Sequence, residues 1–265
     1  RRDATGKDRL MSDATPDKES DLGEGTLMSH LTELRNRLFK MVAGVFVIFL
    51  VLLPFSRQIF NFVAAPLTRF VPSGEMLAIG AVTSLTATIS LTFYLSLFLA
   101  MPIILYQVWA FIAPGLYKKE KGFAAPLLVT SIFLFLAGLA FAYYVVFPLI
   151  FGFVATFTPD VVEWKPDMAE YVGFVMLVAL VFGIAFETPI APLLLVRTGL
   201  TTPENLGKAR PYVFLGAFVV GMLLTPPDVI SQTILAVPVY LLYELGIIMA
   251  RLARRKPDES VATES

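Results

Sequence analysis

The sequence predicts an all-α membrane protein with six transmembrane helices, and three observations carry that expectation. Of 265 residues, 57% are hydrophobic and 16% charged, and the mean hydropathy is +0.74, a balance too apolar for a soluble domain of this length. The apolar residues fall in six runs, at about 39–55, 89–112, 123–151, 171–196, 212–224 and 229–249. A helix needs roughly 20 such residues to cross a hydrocarbon core of roughly 30 Å. The third observation is the alternation of basic residues between the connecting segments. Arg35, Arg37 and Lys40, then Lys118, Lys119 and Lys121, then Arg197, Lys208 and Arg210, and finally Arg251, Arg254, Arg255 and Lys256 make thirteen on one side. The intervening loops carry Arg57, Arg69 and Lys165, and collect Glu75, Asp160, Glu163, Asp167, Glu170 and Asp228. The positive-inside rule then places both termini in the cytoplasm, as an even number of spans requires.

Residues 1–26 are polar and read as a disordered tail. Met11 is a candidate start, with the ten residues before it an extension. No cleavable signal peptide opens the chain, and Arg1-Arg2 lacks the apolar stretch that an export signal would carry soon after it. Residues 27–256 read as one six-helix domain, and 257–265 as a second disordered tail. Leu27, Leu31, Leu34, Leu38 and Met41 mark the apolar face of a helix that leads into the first span. After that span, Ile59, Phe60, Val63, Leu67 and Phe70 share a helical face. Two readings stay open there, a short amphipathic helix on the outer membrane surface or a continuation of the hairpin between spans. The fifth run, 212–224, is only thirteen residues, about 20 Å at roughly 1.5 Å per residue. "TPPD" at 225–228 ends it, because proline donates no amide. The fifth and sixth spans therefore form a hairpin shorter than the bilayer, which predicts local thinning.

Several function classes fall away on composition. There is no cysteine, so disulfides, thiolate metal sites and cysteine nucleophiles are excluded, and the one histidine, His30, precedes the first span. An intramembrane serine protease would need a histidine base within the bilayer. A nucleotide-driven pump would need a phosphate-binding GxxxxGK[ST] loop, which is absent. Neither a cofactor nor a metal site is expected.

The residues that remain as candidates are acids and polar groups in unusual places. Glu187 lies inside the fourth run in "GIAFETPIAP", where a carboxylate costs roughly 2.5 to 3.5 kcal/mol on insertion scales. Pro189 removes the hydrogen bond to the Ala185 carbonyl, so a bend with open backbone acceptors is expected beside Glu187. That acid reads either as a structural group bonded to a neighbouring helix or as a proton-responsive element, which would also suit a secondary transporter. Thr225 and Gln232 could cap the short hairpin's turn or bind a polar group on a partner helix. Glu244, in "LYELG", is expected to reach the cytoplasmic interface. Glu33 precedes Arg37 by four residues, the spacing of a helical salt bridge worth a few tenths of a kcal/mol. Glu120, in "FIAPGLYKKEKGF", reads as charge balance among Lys118, Lys119 and Lys121, which keep it ionised. Both acids lie at the cytoplasmic surface, and two carboxylates converging there would suit a ligand with adjacent guanidinium groups, since arginine pairs bidentately with carboxylate.

The stretches "HLTELRNRL", "PIILYQVWAFIAPGLYKKE", "FAYYVVFPL", "FGIAFETPI", "KARPYV" and "GAFVVGMLLTPPDVISQ" together resemble the TatC family, over nearly everything from about residue 28 to 251. The family comprises the multispanning receptor subunits of the twin-arginine protein translocase. The resemblance implies a six-helix, glove-like protein of the cell inner membrane, without enzymatic activity. Such a protein recognises Arg-Arg signal peptides of folded cargo, works with TatB and TatA in a self-associating complex, draws on the proton-motive force, and binds no nucleic acid. It further implies that Glu33, Phe111 and Glu120 bind the signal peptide, that Glu187 is the family's intramembrane acid, and that Met222, Thr225 and Gln232 dock partner helices. The chain departs from the family pattern at the start of the second span, where Ala87 and Ser90 stand in place of an expected Pro and Lys.

Overall fold

A computed structural model describes residues 17–71, 75–116, 124–159, 162, 164–224 and 229–254. The first helix, α1 (Asp17–Leu52), runs through a single 3-10 turn, Leu53–Phe55, into α2 (Ser56–Thr68). Its start lies inside the 1–26 segment expected to be disordered. Helix formation from Asp17 follows from local chemistry. Asp17 and Glu19 fall in the first turn of this helix in the sequence, the position that favours acidic residues. Residues 1–16 and 255–265, and so most of both expected tails, lie outside the described residues.

The remaining helices are α3 (Thr83–Leu99), α4 (Met101–Leu116), α5 (Ala124–Phe141), α6 (Phe147–Phe157), α7 (Met168–Phe186), α8 (Ile190–Arg197), α9 (Pro203–Lys208), α10 (Arg210–Leu224) and α11 (Val229–Arg254). Four stretches, Leu31–Thr68, Ala125–Phe157, Met168–Arg197 and Gln232–Leu252, are long and apolar enough to cross a membrane. Thr83–Leu99 with Met101–Phe111, bent by 46°, makes a fifth if counted as one span, and Arg210–Leu224 is a shorter apolar helix. The protein is thus an all-helical, multi-pass membrane protein.

Prolines set the breaks. Pro102 cannot donate to the carbonyl of Phe98, and the α3–α4 bend falls there. Pro148 follows a π-helical turn at Ala142–Val146, and Pro189 follows the turn that separates α7 from α8. In α3 three hydroxyl groups are satisfied within the helix: Thr88, Thr92 and Ser96 each donate to the carbonyl four residues back, at 2.7, 2.8 and 2.6 Å.

The main core joins α2, α3, α5, α6 and α7 around Leu67, Leu91, Phe135, Val146, Val175 and Val178. Two glycines let α5 and α7 meet backbone to backbone. A Cβ on Gly138 would lie 2.5 Å from the Phe182 carbonyl oxygen, and one on Gly183 would lie 2.5 Å from the Phe135 ring. Such small-residue contacts are how helices gain dispersion energy where the surroundings are as apolar as their side chains.

The apolar face of α2 turns toward the protein. Val63 and Leu67 are buried, and Ile59, Phe60 and Phe70 pack against the same core, so the face is covered by protein. Pro66 leaves the Phe62 carbonyl without its helical donor, and the Tyr143 hydroxyl supplies one at 2.7 Å. The buried Tyr171 hydroxyl donates to the neighbouring Val63 carbonyl at 2.6 Å. At the same end, Leu77 exchanges backbone hydrogen bonds with Pro166 and Met168, both 2.9 Å, and Lys165 pairs with Glu75 at 3.3 Å. The two loops at this end are therefore stitched together beside Asp167, whose carboxylate caps α7 through the amides of Ala169 and Glu170.

Thermal denaturation in detergent tests this packing. Tyr171→Phe is expected to lose about 0.5 to 1.5 kcal/mol with its hydrogen bond, and Gly138→Val about 1 to 3 kcal/mol by forcing α5 from α7.

Candidate functional site

The candidate site at the N-terminal side of the first span is built on α1 and α4. Glu33 and Arg37 lie one helical turn apart, and Arg37 donates to Glu33 Oε1 from Nε at 3.0 Å and from its terminal nitrogen Nη2 at 2.6 Å. The third contact was not anticipated from the sequence. Arg37 also donates from Nη1 to Gln107 Oε1, at 3.3 Å, across to α4. Gln107 is 8% exposed, so the guanidinium bridges a half-exposed acid to a buried amide. Glu33 Oε2 has no partner among the described residues. Phe111 follows Gln107 by four residues on α4, hence on the same helical face, and is exposed. Glu120 lies outside the described residues, beyond the end of α4 at Leu116.

The second acid, Glu187, closes the C-terminus of α7. Its Oε2 accepts a hydrogen bond of 2.7 Å from the hydroxyl of Ser131 on α5, a residue 1% exposed, while its Oε1 is buried with no partner among the described residues. The backbone around it differs from expectation. The Ala185 carbonyl that Pro189 leaves free is not an open acceptor, because both the amide and the hydroxyl of Thr188 donate to it. Next to this break, α11 comes into backbone contact: a Cβ on Gly246 would lie 2.8 Å from Pro189. Trp109, Leu127, Ile190 and Leu193 fill the space between α4, α5 and α8.

Two groups here were missed from the sequence, Gln107 and Ser131. Each is a polar residue inside an apolar run, and that is the signal that would have found them.

The third region is the α10–α11 hairpin. Met222 is exposed, Gln232 is partly buried, and Thr225 lies outside the described residues. Gly221 brings the helices together at Gln232, since a Cβ there would sit 3.6 Å from its carbonyl oxygen. At the other end of the hairpin, Arg210 pairs with Glu244, donating from Nη2 to Oε2 at 2.7 Å with its Nε 2.6 Å from Oε1, and the Tyr240 hydroxyl donates to Oε1 at 3.0 Å. Glu244 therefore ties α11 to α10. Between α10 and α7 lies an apolar cavity of about 460 Å³, walled by Ile184 and Ala185 on one side and Gly216 and Val220 on the other.

Several apolar spans broken at proline and a short apolar hairpin define a multi-pass helical membrane protein. The family profile described as Sec-independent protein translocase protein (TatC) matches residues 29–238. The TatC protein of Azotobacter chroococcum is 48% identical over 250 residues, covering 94% of this chain and 97% of that protein. The TatC protein of Escherichia coli K12 is 53% identical over 226 residues, covering 85% and 88%. A crystal structure of the twin-arginine translocase receptor TatC superimposes with a TM-score of 0.73 at 37% identity, covering 85% of this chain and all of that one. The chain belongs to the TatC family, and it is a protein translocase subunit.

The Ser131–Glu187 pair makes a prediction for stability. Ser131→Ala removes the described partner of a buried carboxyl group and is expected to destabilise the detergent-solubilised protein by about 1 to 3 kcal/mol. Glu187→Gln, which keeps an amide oxygen to accept from Ser131, is expected to lose less in the same denaturation assay.

Proposed function

We propose that the protein is the signal-peptide receptor and core subunit of a twin-arginine translocase, with Glu33 as one of the carboxylates that bind the paired arginines of the signal. The observation that carries this reading is the half-occupied carboxylate of Glu33. One of its oxygens already accepts a guanidinium, and the other lacks a partner among the described residues. The Arg37–Gln107 bond fixes α1 against α4 and so presents the acid on a rigid support. An arriving arginine takes Glu33 Oε2, Glu120 takes the second arginine, and Phe111 supplies apolar contact on the same face of α4 as Gln107. Two charge-assisted contacts of about 1.5 to 3 kcal/mol each give discrimination and still permit release of the cargo.

The remaining assignments follow from this one. The five apolar units and α10 make six spans in a glove-like, concave arrangement within the cell inner membrane, with both termini cytoplasmic, which agrees with the distribution of basic residues. The signal's apolar segment lies against the concave face, where Glu187 is an intramembrane polar site. Met222, Thr225 and Gln232 dock the single spans of TatA and TatB, and the assembled complex uses the proton-motive force. The resemblance of this chain to crystallised TatC receptors supports the reading.

Site-specific crosslinking of an Arg-Arg signal peptide tests it. Glu33→Gln and Glu120→Gln are each expected to weaken crosslinking about tenfold, the effect of losing one charge-assisted bond. Undiminished crosslinking in both variants would remove the carboxylate clamp.

A further inference from the structure

A second cavity, of about 640 Å³, lies where the chain turns from α1 into α2 and faces the start of α3. It differs in kind from the apolar groove beside α10. Ser56, Arg57, Asn61 and Ser84 line one part of it, and Val82, Leu85 and Ile89 another. The side chains of those four polar residues have no hydrogen-bond or ion-pair partner among the described residues. Arg57 is also anomalous in the distribution of charge. It is one of three basic residues at this end of the molecule, and another of them, Lys165, is already neutralised by Glu75.

The approach to the cavity is apolar. Phe46, Leu50 and Leu53 are exposed at spacings of four and three residues along α1 and the 3-10 turn after it, and the same spacing continues to Arg57 and Asn61. An exposed hydrocarbon track that ends in an arginine, an amide and two hydroxyls has the order of a phospholipid, acyl chain first and anionic headgroup last. A free anion would need the arginine but not the track.

We infer that this cavity is a binding site for an anionic phospholipid of the phosphatidylglycerol type. Its phosphate pairs with Arg57, its glycerol hydroxyls bond Ser56, Asn61 and Ser84, and one acyl chain follows Phe46, Leu50 and Leu53. A guanidinium suits this task because it is weakly hydrated and meets phosphate oxygens with a planar fork. The inference goes beyond the receptor reading and does not depend on it, and the site binds its lipid whichever side of the membrane this end faces.

Native mass spectrometry of the full chain in detergent, titrated with phosphatidylglycerol or phosphatidylcholine, tests the site. Arg57→Gln is expected to reduce phosphatidylglycerol retention about fivefold, the effect of one basic group near an anionic lipid surface, and to leave phosphatidylcholine retention unchanged. Arg69→Gln, which removes an exposed arginine outside the cavity, is expected to have no effect. Equal loss in both variants, or none in Arg57→Gln, would overturn the site. Displacement of the lipid by inorganic phosphate at millimolar concentration would make the occupant a soluble anion and overturn the lipid assignment. Arg57 is exposed, so the variant folds, and its elution volume on size exclusion checks this.

Discussion

Within hydrocarbon, every polar group has to find its partner inside the protein, and that constraint organises this molecule. Three acids in or near the apolar runs are linked to another helix, one of them indirectly. Glu33 is reached through Arg37 by Gln107 of α4, Glu187 by Ser131 of α5, and Glu244 of α11 by Arg210 of α10. The same demand governs the backbone. Carbonyls deprived of donors by Pro66 and Pro189 are taken up by the Tyr143 hydroxyl and by Thr188. The tertiary fold is therefore specified by sparse polar matches laid over an apolar background that is itself indifferent to which helix meets which.

These matches also determine what the surface can do. Arg37 spans from Glu33 Oε1 to Gln107 and so links α1 to α4 at this surface. Because Arg210 holds Glu244 at one end of the short hairpin and Gly221 meets Gln232 at the other, α10 is fixed to α11 while an open groove stays between it and α7. A receptor that must bind, hand over and release a cargo signal is well served by a rigid frame with unfilled positions.

Much of this was legible in the sequence, and the exceptions have physical causes. The apolar runs, the breaks at proline and the shortness of 212–224 follow from residue type and spacing, and α10 at Arg210–Leu224 has the expected length class. The Glu33–Arg37 pair follows from helical periodicity. Gln107 and Ser131 could be seen as odd residues in apolar surroundings, but a single sequence does not say which helix a buried hydroxyl or amide faces. Amphipathicity was ambiguous in the same way. The pattern Ile59, Phe60, Val63, Leu67 and Phe70 marks a buried face, and it reads alike whether lipid or protein covers it; here the cover is α3 and α6. The helical start at Asp17 is hidden in the sequence because a polar segment carries no apolar periodicity to mark a helix.

The proposed recognition of paired arginines turns on a guanidinium-specific carboxylate at Glu33. Equilibrium titration of the purified protein with fluorescent signal peptides that differ only in carrying Arg-Arg or Lys-Lys measures it directly. The account predicts that the Arg-Arg peptide binds about tenfold tighter, since lysine cannot reproduce the planar fork. It also predicts that the difference collapses when Glu33 is replaced by Gln. Equal affinity of the two peptides for the unaltered protein would contradict it.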